Sequence, residues 1–386
     1  MAKIVVWKLA LRSSYLAALA IVLAPASAQN SDDCDDLCRA GAALVERFAL
    51  READTPVRER PDWAQPTRIV VADEPAARFL SEIAPDAEVV GIAGLRNFED
   101  MADVVEGAEV LIGLCSPEII ERGKDLRWIQ LLNAGADSCT DIPEVAERGI
   151  LVTNLQRIQG PHMADHATAL MLALARALPH YIVDQAAGAW SLGLRGVGDL
   201  QLLEVEEKTL LVVGLGGIGT EVAKRAAGLG MRVLATRNSR REGPDYVEYV
   251  GLAHEAGDLA AQADFVVNTT PLTAATRGMF DAAFFAAMKN TAYFINIGRG
   301  ESVVTDDLVA ALRSGTIAGA GLDVTNPEPL PAGHPLWQMR NVILTPHVAT
   351  RSDFRDERTV VLVAENLRRY IRGDALLSVV DLASGY

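Results

Sequence analysis

Three ionisable side chains stand just past the ends of separate apolar runs: Arg299 after 292–297, Glu328 after 319–324 and His347 after 342–345. Their types are complementary. A carboxylate beside an imidazole raises the ring's pKa and keeps it protonated near neutrality. A guanidinium can grip a carboxylate through two parallel hydrogen bonds and polarise a neighbouring carbonyl. Together they can stabilise and then protonate an oxygen that gains negative charge. Singly, each has a structural explanation: a surface ion pair, a solvated loop residue, a turn cap. Their recurrence at successive strand ends favours a shared site.

The elements that must position them follow from the hydrophobic pattern. Short β-branched runs at 68–72, 89–92, 110–113 and 128–132 read as buried strands with helical stretches between them. A second set lies at 209–214, 232–235, 265–268, 292–297, 319–324 and 342–345, with a long apolar helix at 161–178 before it and a helix at 360–372 after it. Alternating β and α elements imply parallel sheets covered on both faces, here two doubly wound α/β units. Residues just past strand ends then lie at the C-terminal edge of the sheet, where such folds bind ligands.

The run Leu211-Val212-Val213-Gly214-Leu215-Gly216-Gly217-Ile218-Gly219 is a strand entering a helix through G-x-G-x-x-G. Gly214 permits a tight turn, Gly216 admits a pyrophosphate to the backbone, and Gly219 lets helix and strand pack closely. The helix start offers unpaired amides to the anion. Glycines mark many turns, but strand and helix in the required order make this a dinucleotide site. The next strand ends in Arg237, followed by Asn238, Ser239, Arg240 and Arg241. An NAD site ordinarily carries an acidic reader of the ribose hydroxyls there, whereas Arg237 suits a 2′-phosphate. NADP is therefore expected over NAD. With a dinucleotide beside Arg299, Glu328 and His347, the chemistry expected is hydride transfer between a nicotinamide and a small 2-oxo or 2-hydroxy acid.

The chain has 386 residues, enough for two domains, half of them hydrophobic, and a net charge of −15. That charge argues against a nucleic-acid surface. Lys3, Lys8 and Arg12, an uncharged run from Tyr15 to Ala24, and Ala26-Ser27-Ala28 have the layout of a signal peptide over residues 1–28, with no Arg-Arg pair. The run is short for a membrane span. A periplasmic or secreted enzyme is expected, with a cytoplasmic one as the alternative. Residues 29–66 read as a charged extension, one helix followed by a linker. Cys34 and Cys38 can pair in an oxidising compartment but are too few for a zinc site, and no metal is expected. Cys115 reads as core, and Cys139 has no base near it in sequence.

The segments 214–219, 296–300, 323–329 and 345–347 resemble the motifs of the D-2-hydroxyacid dehydrogenases. Thr270-Pro271-Leu272-Thr273, His334-Pro335-Leu336-Trp337 and Asn133-Ala134-Gly135-Ala136-Asp137 are similar to that family as well. The likeness covers residues 67–386 and is of the glyoxylate/hydroxypyruvate reductase type. It implies a Rossmann cofactor domain, 161–350, inserted into a flavodoxin-like substrate domain, 67–160 with 351–386. It implies that Arg299, Glu328 and His347 are the catalytic set and that Asp323 contacts the nicotinamide carboxamide. Gly217 and Ile218 would face the pyrophosphate, and Thr270 and Ile297 would line the cofactor cleft. The amides of Ala134, Gly135 and Ala136 would grip the substrate carboxylate. A homodimer is implied, with the helix from Pro161 in the contact. The competing expectation is a dinucleotide-sensing protein without turnover, which an intact catalytic set disfavours. Formate dehydrogenases are also similar, but they lack a Glu in this role. The substrate side chain would be selected around Leu95, Cys115 and Leu132.

Overall fold

The computed structural model describes residues 36–92, 98–190 and 202–386. The leader 1–28, Cys34 and Leu95 lie outside the described residues. The chain divides into two compact units, Met1–Ile158 with Ser352–Tyr386, and Gln159–Arg351.

In the first unit the strands are β1 (Arg68–Val71), β2 (Glu88–Gly91), β3 (Val110–Gly113), β4 (Trp128–Leu131) and β5 (Leu151–Thr153). They pair in the order β2-β1-β3-β4-β5, all parallel. Strands β3 and β4 are buried along their whole length, which is why their sequences are continuous apolar runs rather than alternating ones. This is the flavodoxin-like order, with the direction of winding reversing between β1 and β3.

The segment expected to be an extension and linker behaves differently. Helix Asp36–Phe48 buries Leu37 and Leu44 in one cluster with Val361, Leu362 and Leu367 of helix Arg355–Arg372. Downstream, the Ala53 amide donates to Leu376 O at 2.8 Å and Trp63 Nε1 to Tyr370 O at 3.1 Å. The segment therefore completes this unit's core. Its charged residues lie on the outer face of an amphipathic helix, and composition alone hid the apolar stripe.

The cysteines also depart from expectation. Cys115 is buried as predicted, yet it is bonded to Cys139, with Cα atoms 5.2 Å apart and both residues under 5 % exposed. Cys38 is disulfide-bonded as well.

The second unit holds β6 (Thr209–Val213), β7 (Arg232–Arg237), β8 (Tyr249–Leu252), β9 (Phe265–Asn268), β10 (Tyr293–Asn296), β11 (Gly319–Leu322) and β12 (Val342–Leu344). Their order is β12-β11-β10-β9-β6-β7-β8, again parallel throughout. Winding reverses between β6 and β9, so a crevice opens beyond the C-terminal end of β6, where the glycine loop begins.

The helix expected at 161–178 spans Gly160–Ala175 and is followed by a second one that the sequence reading did not expect. Gly160–Ala175 packs Met163, Ala167, Leu170 and Leu174 into the core beneath β10 and β11. Ala177 then takes a left-handed conformation, φ 52°, and Leu178–Ala186 starts afresh with Pro179 in its first turn, where the missing N–H costs nothing. Among the described residues no helix is long and apolar enough to cross a membrane.

Candidate active site

The glycine loop has the shape that its sequence demands. Gly214 sits at φ +100°, open only to glycine without strain. A side chain at Gly219 would begin 2.2 Å from Gly214 O, so helix Gly217–Gly228 can approach β6 this closely only with glycine there. A side chain at Gly216 would meet nothing within 4 Å, leaving open space above the helix start. The amides of Gly217 and Ile218 belong to the first turn and have no intrahelical acceptor. Open space, unpaired amides and the positive end of the helix dipole fit a pyrophosphate. Arg237 closes β7, and Arg241 is already engaged, its Nη2 2.8 Å from Glu255 and its Nη1 2.7 Å from the Tyr249 hydroxyl.

Of the chemical groups, Glu328 and His347 meet directly: Oε1 lies 2.9 Å from Nδ1. The carboxylate can only accept, so Nδ1 carries the hydrogen and Nε2 is left for proton transfer. The hydrogen bond to Glu328 raises the pKa of His347, against partial burial and the positive charge of Arg299, with Asp323 adding to the rise. Arg299 is thus near enough for its charge to act on the ring. The segments are also locked sterically: a side chain at Gly300 would fall 1.9 Å from Thr325 O, so the turn after Arg299 lies directly on the chain leading to Glu328.

His347 has φ 51°, a left-handed conformation costing a β-carbon-bearing residue roughly 1–3 kcal/mol. Asp323 holds it there. Its carboxylate accepts from the Val348 amide at 2.9 Å, the Ala349 amide at 3.0 Å and the Thr345 hydroxyl at 2.6 Å. Its backbone carbonyl accepts the His347 amide at 2.8 Å. Burial pushes the Asp323 carboxyl up, but hydrogen bonds from His166, Thr345, Val348 and Ala349 outweigh it and bring its pKa to about 2. In this chain, then, Asp323 clasps the histidine loop.

Arg299 has its own support, invisible to motif reading. Asn268, fully buried, donates from Nδ2 to Asn296 Oδ1 at 2.9 Å and to the Ser302 hydroxyl at 2.8 Å. Asn296 Nδ2 and the Ser302 hydroxyl both donate to Arg299 O, at 3.0 and 2.6 Å. A satisfied buried network of this kind fixes the backbone from which the guanidinium projects. Its sequence signal was a polar residue ending an apolar strand, at Asn268 and again at Asn296. His166 was likewise missed, because a histidine in an apolar helix reads as a core residue.

The remaining expected residues are placed as follows. The Thr270 hydroxyl turns inward to Asn268 Oδ1, at 2.7 Å, while its methyl borders Gly214. Ile297 is 2 % exposed and its side chain packs into the core of the second unit. Ala134, Gly135 and Ala136 form the turn after β4 in the first unit, and their amides have no acceptor among the described residues. Asn154 pins that turn by donating to Ala134 O at 2.7 Å.

Comparison with known proteins bears on this arrangement. Residues 168–349 match the family model described as D-isomer specific 2-hydroxyacid dehydrogenase, NAD binding domain. The chain is 35 % identical over 287 residues to the human glyoxylate reductase/hydroxypyruvate reductase, covering 72 % of this chain and 85 % of that one. It is 37 % identical to the glyoxylate reductase of Korarchaeum cryptofilum, covering 72 % and 84 %. Among solved structures, an NADPH-dependent glyoxylate/hydroxypyruvate reductase from Sinorhizobium meliloti, in complex with NADP and sulfate, aligns with a TM-score of 0.68 at 28 % identity, over 83 % of this chain and all of that one. A D-isomer specific 2-hydroxyacid dehydrogenase from Xanthobacter autotrophicus, in complex with NADPH and MES, gives 0.69 at 28 % identity, over 84 % and 100 %.

Proposed function

The chain belongs to the D-isomer specific 2-hydroxyacid dehydrogenase family, and from that premise we propose that it reduces a short 2-oxo acid of the glyoxylate or hydroxypyruvate kind with NADPH. It is an NAD(P)-dependent dehydrogenase, and the observation that carries the reading is the His347–Glu328 pair under the charge of Arg299. The bound nicotinamide supplies the hydride. Arg299 holds the substrate's carboxylate and draws electron density onto its carbonyl oxygen. His347 donates the Nε2 proton to that oxygen, and Glu328 keeps the ring oriented and charged for the transfer. The unpaired amides of Ala134–Ala136 are assigned to the substrate carboxylate.

NADP is favoured over NAD because an arginine rather than an acid ends β7. A homodimer is supported by the helix Leu178–Ala186, which leaves Leu178, Ile182 and Val183 between 45 and 61 % exposed; light scattering at monomer mass would remove it. Export is supported by the leader layout and by the oxidised Cys115–Cys139 pair; a full-length cytosolic chain on fractionation would remove that.

The test is a panel of short 2-oxo acids with NADPH, followed at the nicotinamide absorbance. Turnover is expected with at least one of them, and His347→Ala should lower kcat on the order of 10²–10⁴-fold. No turnover on the whole panel, with dinucleotide still bound, would instead support a sensing protein.

A further inference from the structure

We propose that His166 is a positioning residue for His347, acting through a hydrogen-bond chain His166–Thr345–Asp323. The inference rests on the reading of His347 as the acid. His166 lies on helix Gly160–Ala175, remote in sequence from every residue of the catalytic set. Its Nε2 is 2.9 Å from the Thr345 hydroxyl and 3.4 Å from Asp323 Oδ1. Proton counting sets the direction of each bond. The Asp323 carboxylate is ionised and can only accept, so the single Thr345 hydroxyl proton goes to Oδ1, at 2.6 Å. The hydroxyl oxygen must then accept from His166, which therefore carries a hydrogen on Nε2.

The chain matters because of what it grips. Thr345 begins the loop whose third residue is His347, and Asp323 holds both sides of that residue, at Thr345 and at Val348 and Ala349. A left-handed backbone at a non-glycine residue persists only where its surroundings over-determine it. Without the donor at 166, the Thr345 hydroxyl keeps only its bond to Asp323 and is free to rotate away from it. The ring of His347 then loses register with Glu328, while the glycine loop that binds dinucleotide is untouched. The charged groups acting on His347 are Glu328, Arg299 and Asp323, so loosening the loop weakens the two acidic influences together.

The experiment compares kcat, NADPH affinity by fluorescence titration, and the pH dependence of kcat/KM in H166L, H166Q, T345V and T345S, with H347A in parallel. H166L and T345V are expected to lower kcat on the order of 10–100-fold, the scale of a small misplacement of a reacting group. NADPH affinity should stay within about twofold, and the alkaline limb of the profile should move to lower pH. H166Q retains an N–H donor and T345S the hydroxyl, so both should recover most of the loss. The H166L/T345V double variant should be no slower than the slower single one, as members of one chain are not additive. Wild-type kcat and pH profile in H166L and T345V would overturn the proposal, as would a loss that neither conservative variant restores. Should H166L fail to fold, the T345V and T345S pair makes the same test. An active H347A would remove the acid assignment itself, whereas an inactive H347A beside a wild-type H166L would remove only the positioning role.

Discussion

Glu328 Oε1 stands 2.9 Å from His347 Nδ1, on a side chain carried by a different strand end, and this one contact sets which ring nitrogen carries the hydrogen and raises the pKa of the ring. Glu328→Gln preserves an acceptor but removes the negative charge. The folded-state pKa of His347, raised mainly by Glu328, should fall. In the reduction direction the protonated ring is the active form, so activity is lost as pH rises through that pKa. The alkaline limb of kcat/KM should therefore move to lower pH in the variant, with kcat at pH 8 down by about tenfold or more. An unshifted limb would count against Glu328 as the controlling charge.

Asp323 is a depressed carboxyl, so the sign of its contribution is the opposite of that of a raised histidine. Stability from it is fully present above the ordinary carboxylate pKa of 3.8 and is lost as pH falls toward its folded value of about 2. A shift of this size corresponds to roughly 2 kcal/mol. Asp323→Asn should lower urea-unfolding stability by about that amount at pH 7. The gap to the wild type should narrow as pH is taken below 3.8. A gap independent of pH would mean that the clasp is steric rather than electrostatic.

At the end of β7, Arg237→Asp replaces a guanidinium with a charge that repels phosphate and accepts from ribose hydroxyls. NADPH affinity should drop by about 10–100-fold while NADH affinity holds or improves, reversing the preference. Parallel fluorescence titrations of the two coenzymes measure this; equal affinities in the unmodified protein would defeat the phosphate-reader assignment.

Cys115 follows β3 and Cys139 lies in the short helix Asp137–Thr140 after β4, so their bond ties that helix to the loop after β3. Replacing both with serine should cost on the order of 3 kcal/mol, seen as a lower Tm that added reductant no longer changes. With the turn Ala134–Ala136 only three residues from Cys139, KM for the oxo acid should rise while NADPH affinity stays level. An unaltered KM would separate the bond from substrate binding.

Much of the candidate site was legible because its signals are local. Gly214, Gly216 and Gly219 announce a phosphate turn since each meets a steric demand set by its immediate neighbours. Arg299, Glu328 and His347 stand out because a parallel strand ends in the same way wherever it lies in the sheet. Most of the strands followed from continuous apolar runs, but β5 and β8 were not among them. Where expectation failed, the reason was distance along the chain. The helix Asp36–Phe48 was expected only as part of an extension, because its partner in the core, Arg355–Arg372, lies at the far end of the sequence. The bond between Cys115 and Cys139 was not foreseen because the two become neighbours only when β3 and β4 pair. The helix break at Ala177 depends on a left-handed turn that alanine does not advertise.

Most of the strands, the glycine-rich strand–turn–helix and the kinds of groups standing at the strand ends were legible in the amino-acid sequence alone, since each depends on side-chain type and short-range periodicity; the order of the strands in each sheet was not. Which group supports which was settled by the tertiary structure. His166 reaches Thr345 across 179 residues, and Asn268 reaches Ser302 across 34. Such pairings exist only once strand register and helix packing bring separate segments within hydrogen-bonding distance, and directional bonds of that length leave no mark on local composition.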